Sequence, residues 1–122
     1  MRSGSRREIV TAYREARLPF LATSFGRWWG TDPASRERVD IDLVAANATM
    51  RQIACGECKW RSAFDETQAI ETLRHRAALV RGGWQERYFY LFTKGDVSAG
   101  TRKKLEGAPD LEVVTAGDIF AR

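Results

Sequence analysis

The chain has 122 residues, of which 43% are hydrophobic and 30% charged, and its formal net charge is +4. This length fits a single domain, and the hydrophobic content excludes a disordered or collagen-like chain. No apolar run approaches the roughly 18–20 residues that span a bilayer, and the basic N-terminus lacks the apolar stretch of a signal peptide. We therefore expect a cytoplasmic protein without a membrane partner.

The excess positive charge lies in the N-terminal third of the chain. Residues 1–38 hold eight arginines and four acidic residues, whereas residues 39–122 hold twelve charges of each sign. Arginine outnumbers lysine sixteen to four, and the guanidinium group suits bidentate contact with phosphate. Two interpretations stay open, because either the segment binds phosphate or the chain simply has an arginine-rich composition.

The spacing of apolar residues predicts the element order α-β-β-β-α-β-α-β. The predicted helices lie at residues 5–17, 65–81 and 98–105, and a terminal helical turn is predicted at residues 118–120. The predicted strands lie at residues 20–29, 38–46, 51–60, 87–93 and 111–115. A meander of three strands followed by helical crossovers predicts an α/β (α+β) fold, with a mixed central sheet and helices on both of its faces.

The second and third predicted strands carry a group of charged residues. Regular alternation in residues 38–46 predicts that Ile41 and Leu43 share one face and that Asp40 and Asp42 share the other. In the next strand Glu57 and Lys59 share a face, because they are two residues apart. A hairpin loop centred between residues 49 and 50 places residue 42 opposite residue 57. The two carboxylates and the lysine are therefore predicted to form one patch.

Two carboxylates at close range repel each other unless a cation or a proton lies between them. Mg²⁺ or Mn²⁺ removes that conflict, since it takes oxygen ligands and keeps waters and a substrate phosphate in its shell. A bound metal ion polarises a phosphoryl oxygen, and a neighbouring lysine can orient the attacking water. The pattern therefore favours metal-assisted phosphodiester hydrolysis. The alternative is a solvated strand face with a cross-strand ion pair.

At these positions the sequence resembles the PD-(D/E)XK, or restriction-endonuclease-like, superfamily. Ile41-Asp42 is similar to the acidic half of its motif, Glu57-Cys58-Lys59 to the E-x-K half, and the element order to its core. The resemblance implies that Asp42 and Glu57 hold Mg²⁺ and that Lys59 activates or orients the attacking water. Asp40 is either a further ligand or a surface acid.

Two further positions match the superfamily outside its central motif. Glu8, in the first predicted helix, stands where many members carry an additional acidic residue. Gln68 stands where some branches carry a glutamine in the helix that follows E-x-K. The resemblance implies that Glu8 assists through a second metal ion or a water molecule, and that Gln68 positions the substrate or the lysine.

More narrowly, Gly26–Gly30, Asp40–Ala45 and Gly56–Trp60 resemble the uncharacterised domain found C-terminal to archaeal-type AAA ATPases. No phosphate-binding loop motif occurs in the chain, so we expect the ATPase to lie elsewhere in the same chain or in a partner chain. Residues 1–122 would then be one nuclease-like domain, the C-terminal piece of a larger ATPase, and a homodimer stays open.

The resemblance implies that DNA is the nucleic-acid partner. Backbone phosphate would be held by four arginines of the N-terminal segment, Arg2, Arg6, Arg7 and Arg14. The alternative function is a catalytically inactive nuclease-fold module that serves protein or DNA interactions of the ATPase.

Two cysteines and a histidine suggest other chemistry at first. Cys55 and Cys58 are spaced C-x-x-C, but on a strand they face opposite sides and cannot chelate one ion. We therefore expect free, buried or half-buried thiols. His75 follows Glu71 by four residues, which favours an ion pair on the surface of the helix.

Three tryptophans flank the predicted site. Trp28 and Trp29 are consecutive in a strand, so one of them should pack in the core and the other should face a base or a partner domain. Trp60, which follows Lys59, is predicted to form a wall of the site.

Overall fold

The computed structural model describes the chain from residue 18 to residue 120. Its strands are β1 (Ser24–Thr31), β2 (Arg38–Asn47), β3 (Gln52–Lys59), β4 (Glu86–Thr93) and β5 (Leu111–Thr115). Its helices are α1 (Glu66–Ala77), α2 (Ala99–Leu105) and α3 (Ala116–Phe120). The predicted order of elements is confirmed over these residues, and the helix predicted at residues 5–17 lies outside them.

The five strands form one mixed sheet in the order β1-β2-β3-β4-β5. The β1–β2 and β2–β3 pairs are antiparallel, whereas the β3–β4 and β4–β5 pairs are parallel. Each parallel pair is joined through a helix, α1 for the first and α2 for the second, because parallel neighbours need a long crossover. The predicted α+β fold with a mixed central sheet is confirmed.

Helix α1 begins at a side-chain cap and ends earlier than its sequence pattern predicts. The Asp65 carboxylate accepts the backbone N–H of Gln68 at 2.9 Å and so satisfies one of the free donors of the first turn. After Ala77 the chain tightens, since the N–H of Val80 donates to the carbonyl of Ala77, three residues back. The predicted end at residue 81 is therefore wrong by four residues. The reason is that a hydrogen bond between residues three apart forms a 3₁₀ turn and does not continue an α-helix.

The sheet has a separate apolar core on each face. On one face, α1 contributes Leu73 and Ala77, which pack against Ile53 and Phe89 of the sheet, and α2 contributes Leu105 to the same side. The opposite core contains Leu43, Ala45, Ala54, Cys58, Tyr90, Phe92 and Val114. It is covered, within the described residues, by Leu18, Phe20 and Ala22.

The pairing of β2 with β3 follows the predicted register. Leu43 lies opposite Gly56, Val44 opposite Cys55 and Asn47 opposite Gln52. The two residue numbers of each pair are equally far from a loop centre between residues 49 and 50, as predicted. Asp42 and Glu57 therefore lie next to each other just beyond the last paired residues.

Strand β2 contains a bulge that the alternating pattern did not predict. Gly26 of β1 pairs with Val44, and Trp28 pairs with Ile41. One residue of β1 therefore faces two residues of β2, Asp42 and Leu43. As a result, Ile41 packs on the α1 side of the sheet whereas Leu43 packs on the other side. The prediction that Ile41 and Leu43 share a face is wrong, because the extra residue shifts the alternation.

Within residues 18–120, no helix combines the length and the apolar character that crossing a membrane requires.

Candidate active site

Asp42 lies at the bulge of β2, and both of its carboxylate oxygens have partners. Oδ2 accepts the backbone N–H of Cys58 at 2.9 Å, and Oδ1 accepts Nη2 of Arg27 at 3.2 Å. The side chain is only 5% exposed. The bulge thus turns Asp42 toward the end of β3, where the backbone ladder between the two strands stops at Leu43 and Gly56.

Glu57 shares a hydrogen bond with the Asp42 carboxyl group, and one proton between the two groups is needed for that bond. Burial is the main reason why the pKa of Glu57 rises from 4.5 to about 7, and the charge of Asp42 adds to the rise. Oε1 of Glu57 is buried, and no donor group among the described residues bonds to it. A buried carboxylate oxygen without a partner is costly, so this position favours a cation or a proton.

Three cationic side chains from three different elements surround the acidic pair. Arg27 reaches it from β1, Arg76 from α1 and Lys59 from β3. The charges of Arg76 and Lys59 both lower the pKa of Glu57, and the effect of Arg76 is the larger. Nη1 of Arg76 also donates to the backbone carbonyl of Asp40 at 3.1 Å, which ties α1 to β2.

Sequence reasoning missed both arginines. Arg27 lies in the Gly26–Gly30 segment that the sequence singles out, but only the bulged pairing of β1 with β2 brings it to Asp42. Arg76 is separated from Glu57 by the loop and most of α1, and the helical pattern alone does not show that it faces β2.

The fold brings three of the predicted site residues together. Asp42 and Glu57 are in contact, and Lys59 follows Glu57 by two residues in the same strand.

Asp40 lies before the bulge, is more exposed than Asp42, and approaches Nε of Arg27 at 3.8 Å. The side-chain amide of Gln68 is exposed and donates to Thr72 within α1 at 3.1 Å. Glu8 and the arginines of residues 1–17 lie outside the described residues.

The two cysteines behave as predicted. Both are free and buried. Cys55 packs on the α1 side of the sheet and Cys58 on the other side, which rules out chelation of one ion by this pair. Burial raises the pKa of the Cys55 thiol to about 12, so this thiol is unreactive at neutral pH.

His75 is paired with a carboxylate from outside its own helix. Nε2 of His75 lies 2.7 Å from Oδ2 of Asp32, so the predicted pair with Glu71 is wrong. The reason is that the loop between β1 and β2 brings a buried carboxylate against α1.

Trp28 packs in the α1-side core and Trp29 is 55% exposed, which confirms that the two face opposite sides. Trp60 packs against the other core.

The donor set fits a hard divalent cation. Over residues 18–120, no group of three or more histidine, cysteine or acidic side chains is placed to hold a metal ion. Mg²⁺ needs fewer protein ligands, since one or two carboxylates suffice when waters and substrate phosphate complete its shell. The two adjacent carboxyl groups and the unpartnered Oε1 of Glu57 fit Mg²⁺ or Mn²⁺.

Comparison with known proteins identifies the family. The profile of a family described as archaeal and bacterial proteins of unknown function, DUF234, matches residues 5–71, more than half of the chain. The chain belongs to this family. The region shared with the family includes β1, β2 and β3, and hence Arg27, Asp42, Glu57 and Lys59, but it ends before Arg76. No curated protein and no solved structure gave a significant match.

Proposed function

We propose that the chain is a DNA-binding, Mg²⁺-dependent nuclease-like domain of the PD-(D/E)XK type. The observation that carries the proposal is the unpartnered Oε1 of Glu57, buried beside the Asp42 carboxylate. Buried polar groups normally have partners, so a buried carboxylate oxygen with no donor group beside it favours a cation or a proton at that position. A site that binds a cation during its function leaves such an oxygen.

Each side chain has a distinct role in the proposed reaction. Asp42 and Glu57 hold the cation, which supplies Lewis-acid activation of the phosphoryl group and a more acidic bound water. Lys59 donates hydrogen bonds to the attacking water and orients it toward phosphorus. The positive charge of Arg76 lowers the pKa of Glu57 and so favours the ionised carboxylate that a cation requires.

The proposal extends to the partners that the sequence implies. Arg2, Arg6, Arg7 and Arg14 would hold the DNA backbone, because guanidinium groups bind phosphate in a bidentate manner. An AAA ATPase, in the same or a partner chain, would present the DNA or drive its movement. The support for this association is the likeness of Gly26–Gly30, Asp40–Ala45 and Gly56–Trp60 to the domain that follows such ATPases.

The direct test is cleavage of supercoiled DNA with Mg²⁺. The Lys59→Ala variant should lose nicking by at least about 100-fold, the scale of a lost proton-transfer or orienting group, while its circular dichroism stays unchanged. Lys104→Ala, which removes an exposed lysine of α2, is the matched control and should cleave normally. Equal nicking by Lys59→Ala and the unmodified chain would exclude the proposed mechanism.

A second candidate is an interaction module that has kept the fold but not the reaction. It is favoured by Trp29, which is 55% exposed on β1, an edge strand of the sheet. Titration with Mg²⁺ or Mn²⁺ separates the two candidates. Saturable binding that is lost in Asp42→Asn supports the nuclease, whereas a melting temperature that does not respond to metal supports the module.

A further inference from the structure

The most informative contact outside the predicted motif joins Arg27 to Asp42. Arg27 is the middle residue of the β1 segment that faces the bulge, and its Nη2 donates to Oδ1 of Asp42 at 3.2 Å. The same guanidinium approaches Asp40 through Nε at 3.8 Å. It therefore bridges the two acidic residues that flank Ile41 in β2.

The two partners differ sharply in their access to solvent. The Asp42 side chain is 5% exposed, whereas that of Arg27 is 39% exposed. Arg27 can leave by rotating its long side chain into water, whereas Asp42 is held by the N–H of Cys58 and by the bulge. Any change of partner at this contact must therefore be made by the arginine.

The other oxygen of Asp42 is already in use, because Oδ2 accepts the Cys58 N–H. Oδ1 is the oxygen that faces Arg27, so a cation seeking Asp42 meets the guanidinium there. Two positive groups at one carboxylate oxygen repel each other, and binding of one weakens the binding of the other.

We propose that Arg27 competes with a divalent cation for Oδ1 of Asp42 and, once released, binds a phosphate of the substrate. This inference rests on the proposed function, since it assumes that Asp42 and Glu57 hold the cation. A guanidinium group suits both partners, because carboxylate and phosphate present the same fork of acceptor oxygens. Arg27 thus couples loading of the metal ion to capture of the substrate.

The first measurement is Mn²⁺ binding to the full chain by calorimetry. Arg27→Met keeps most of the apolar stem but removes the charge and the donors. Its Kd for Mn²⁺ should fall about two- to fivefold, the scale of a partly exposed ion pair. Arg38→Met removes the same charge from an exposed site at the start of β2 and should change the Kd less, since solvent and salt screen it.

The second measurement is the affinity for a short DNA duplex with phosphorothioate linkages, with and without Mn²⁺. In the unmodified chain Mn²⁺ should strengthen duplex binding. In Arg27→Met, the increase in duplex affinity that Mn²⁺ causes should be at least about halved, although the metal ion itself binds more tightly. A residue that only supported the fold would weaken both affinities together, and Arg27→Lys, which keeps the charge, should restore part of the gain.

The outcomes separate the two proposals. If neither the unmodified chain nor Arg27→Met binds Mn²⁺, both proposals fail. If both bind with the same Kd, or if Arg38→Met tightens binding as much as Arg27→Met, the competition is overturned while the proposed function stands. If Arg27→Met binds Mn²⁺ more tightly but keeps the full Mn²⁺-dependent increase in duplex affinity, only the proposed phosphate contact is overturned.

Discussion

The Asp42 carboxylate accepts the backbone N–H of Cys58 at 2.9 Å, at the point where β2 and β3 stop pairing through their backbones. This bond replaces the next rung of the ladder and holds Asp42 against the residue that directly follows Glu57. The two carboxyl groups are therefore close together because of strand geometry, even though their charges repel. The energetic cost of this arrangement, and the contacts that keep it in place, can be measured in single variants.

Glu57→Gln should make the chain more stable at alkaline pH in the presence of a chelator. The raised pKa means that folding favours the protonated carboxyl group. The folded chain therefore loses stability as the pH rises from the ordinary value of 4.5 toward about 7. The loss is at most about 3–4 kcal/mol, from about 1.4 kcal/mol for each pKa unit. A glutamine amide can donate to Asp42 at every pH, so the variant should not show this loss.

Thermal unfolding at about pH 5 and about pH 8 measures this effect, because the protonation of Glu57 changes between the two. The melting temperature of the unmodified chain should fall relative to that of Glu57→Gln as the pH rises. Glu112→Gln, which changes an exposed residue of β5, is the matched control and should follow the unmodified chain. A constant difference between Glu57→Gln and the unmodified chain at both pH values would contradict the prediction.

Gly56→Ala should destabilise the fold beside the site. A Cβ atom built at Gly56 would lie 2.8 Å from the ring of Phe92 and 3.1 Å from Leu43, and both of these side chains are fully buried. Such overpacking costs about 1–3 kcal/mol. The glycine therefore allows β3 to approach the core next to Glu57.

Urea unfolding of Gly56→Ala and Gly26→Ala tests this prediction. Gly26 lies in β1, and a Cβ atom there meets nothing within 4 Å. Its replacement should leave the unfolding midpoint unchanged or slightly raised, because alanine restricts the unfolded chain. Equal destabilisation by the two variants would mean that loss of glycine flexibility, and not crowding by Phe92, causes the effect.

Asp32→Asn should weaken the attachment of the β1–β2 loop to α1 at neutral pH more than in acid. The hydrogen bond with His75 is the main reason why the pKa of Asp32 lies below its ordinary value, and the N–H of Ala34 adds to the effect. A lowered pKa stabilises the fold above the ordinary value of 3.8, and this contribution disappears as the pH falls through the folded value.

Urea unfolding at about pH 7 and about pH 3 compares conditions above and below the ordinary Asp32 pKa of 3.8. The unmodified chain should be more stable than Asp32→Asn at the higher pH, and the difference should shrink at the lower pH. A difference that grows as the pH falls would show that the ionised carboxylate of Asp32 does not stabilise this loop.

The arrangement of Asp42, Glu57 and Lys59 could be predicted from rules that relate residues close together in the chain. A two-residue period places Glu57 and Lys59 on one side of β3, and the centre of a short hairpin loop places Asp42 opposite Glu57. Both rules act between residues that are close in the chain, so the amino-acid order is enough to apply them. The opposite orientations of Cys55 and Cys58 followed from the same period.

The contacts of Arg27 and Arg76, and the burial of the acidic pair, could not be predicted from such short-range rules. Arg27 reaches Asp42 because β1 and β2 differ by one residue at the bulge, and the alternation of apolar residues gives no sign of it. Arg76 influences Glu57 because α1 packs across the same sheet face. Both contacts depend on how whole elements meet, and many side chains together decide that.

The amino-acid sequence by itself determined the order of elements, the β2–β3 register and the acidic pair with its lysine, because each is set by periodicity within one or two neighbouring strands. Only the tertiary structure decided that Asp42 would be buried, that Glu57 would keep an unpartnered oxygen, and that Arg27 would face Asp42. Burial and long-range ion pairs depend on the packing of distant segments, and packing is a property of the folded chain as a whole.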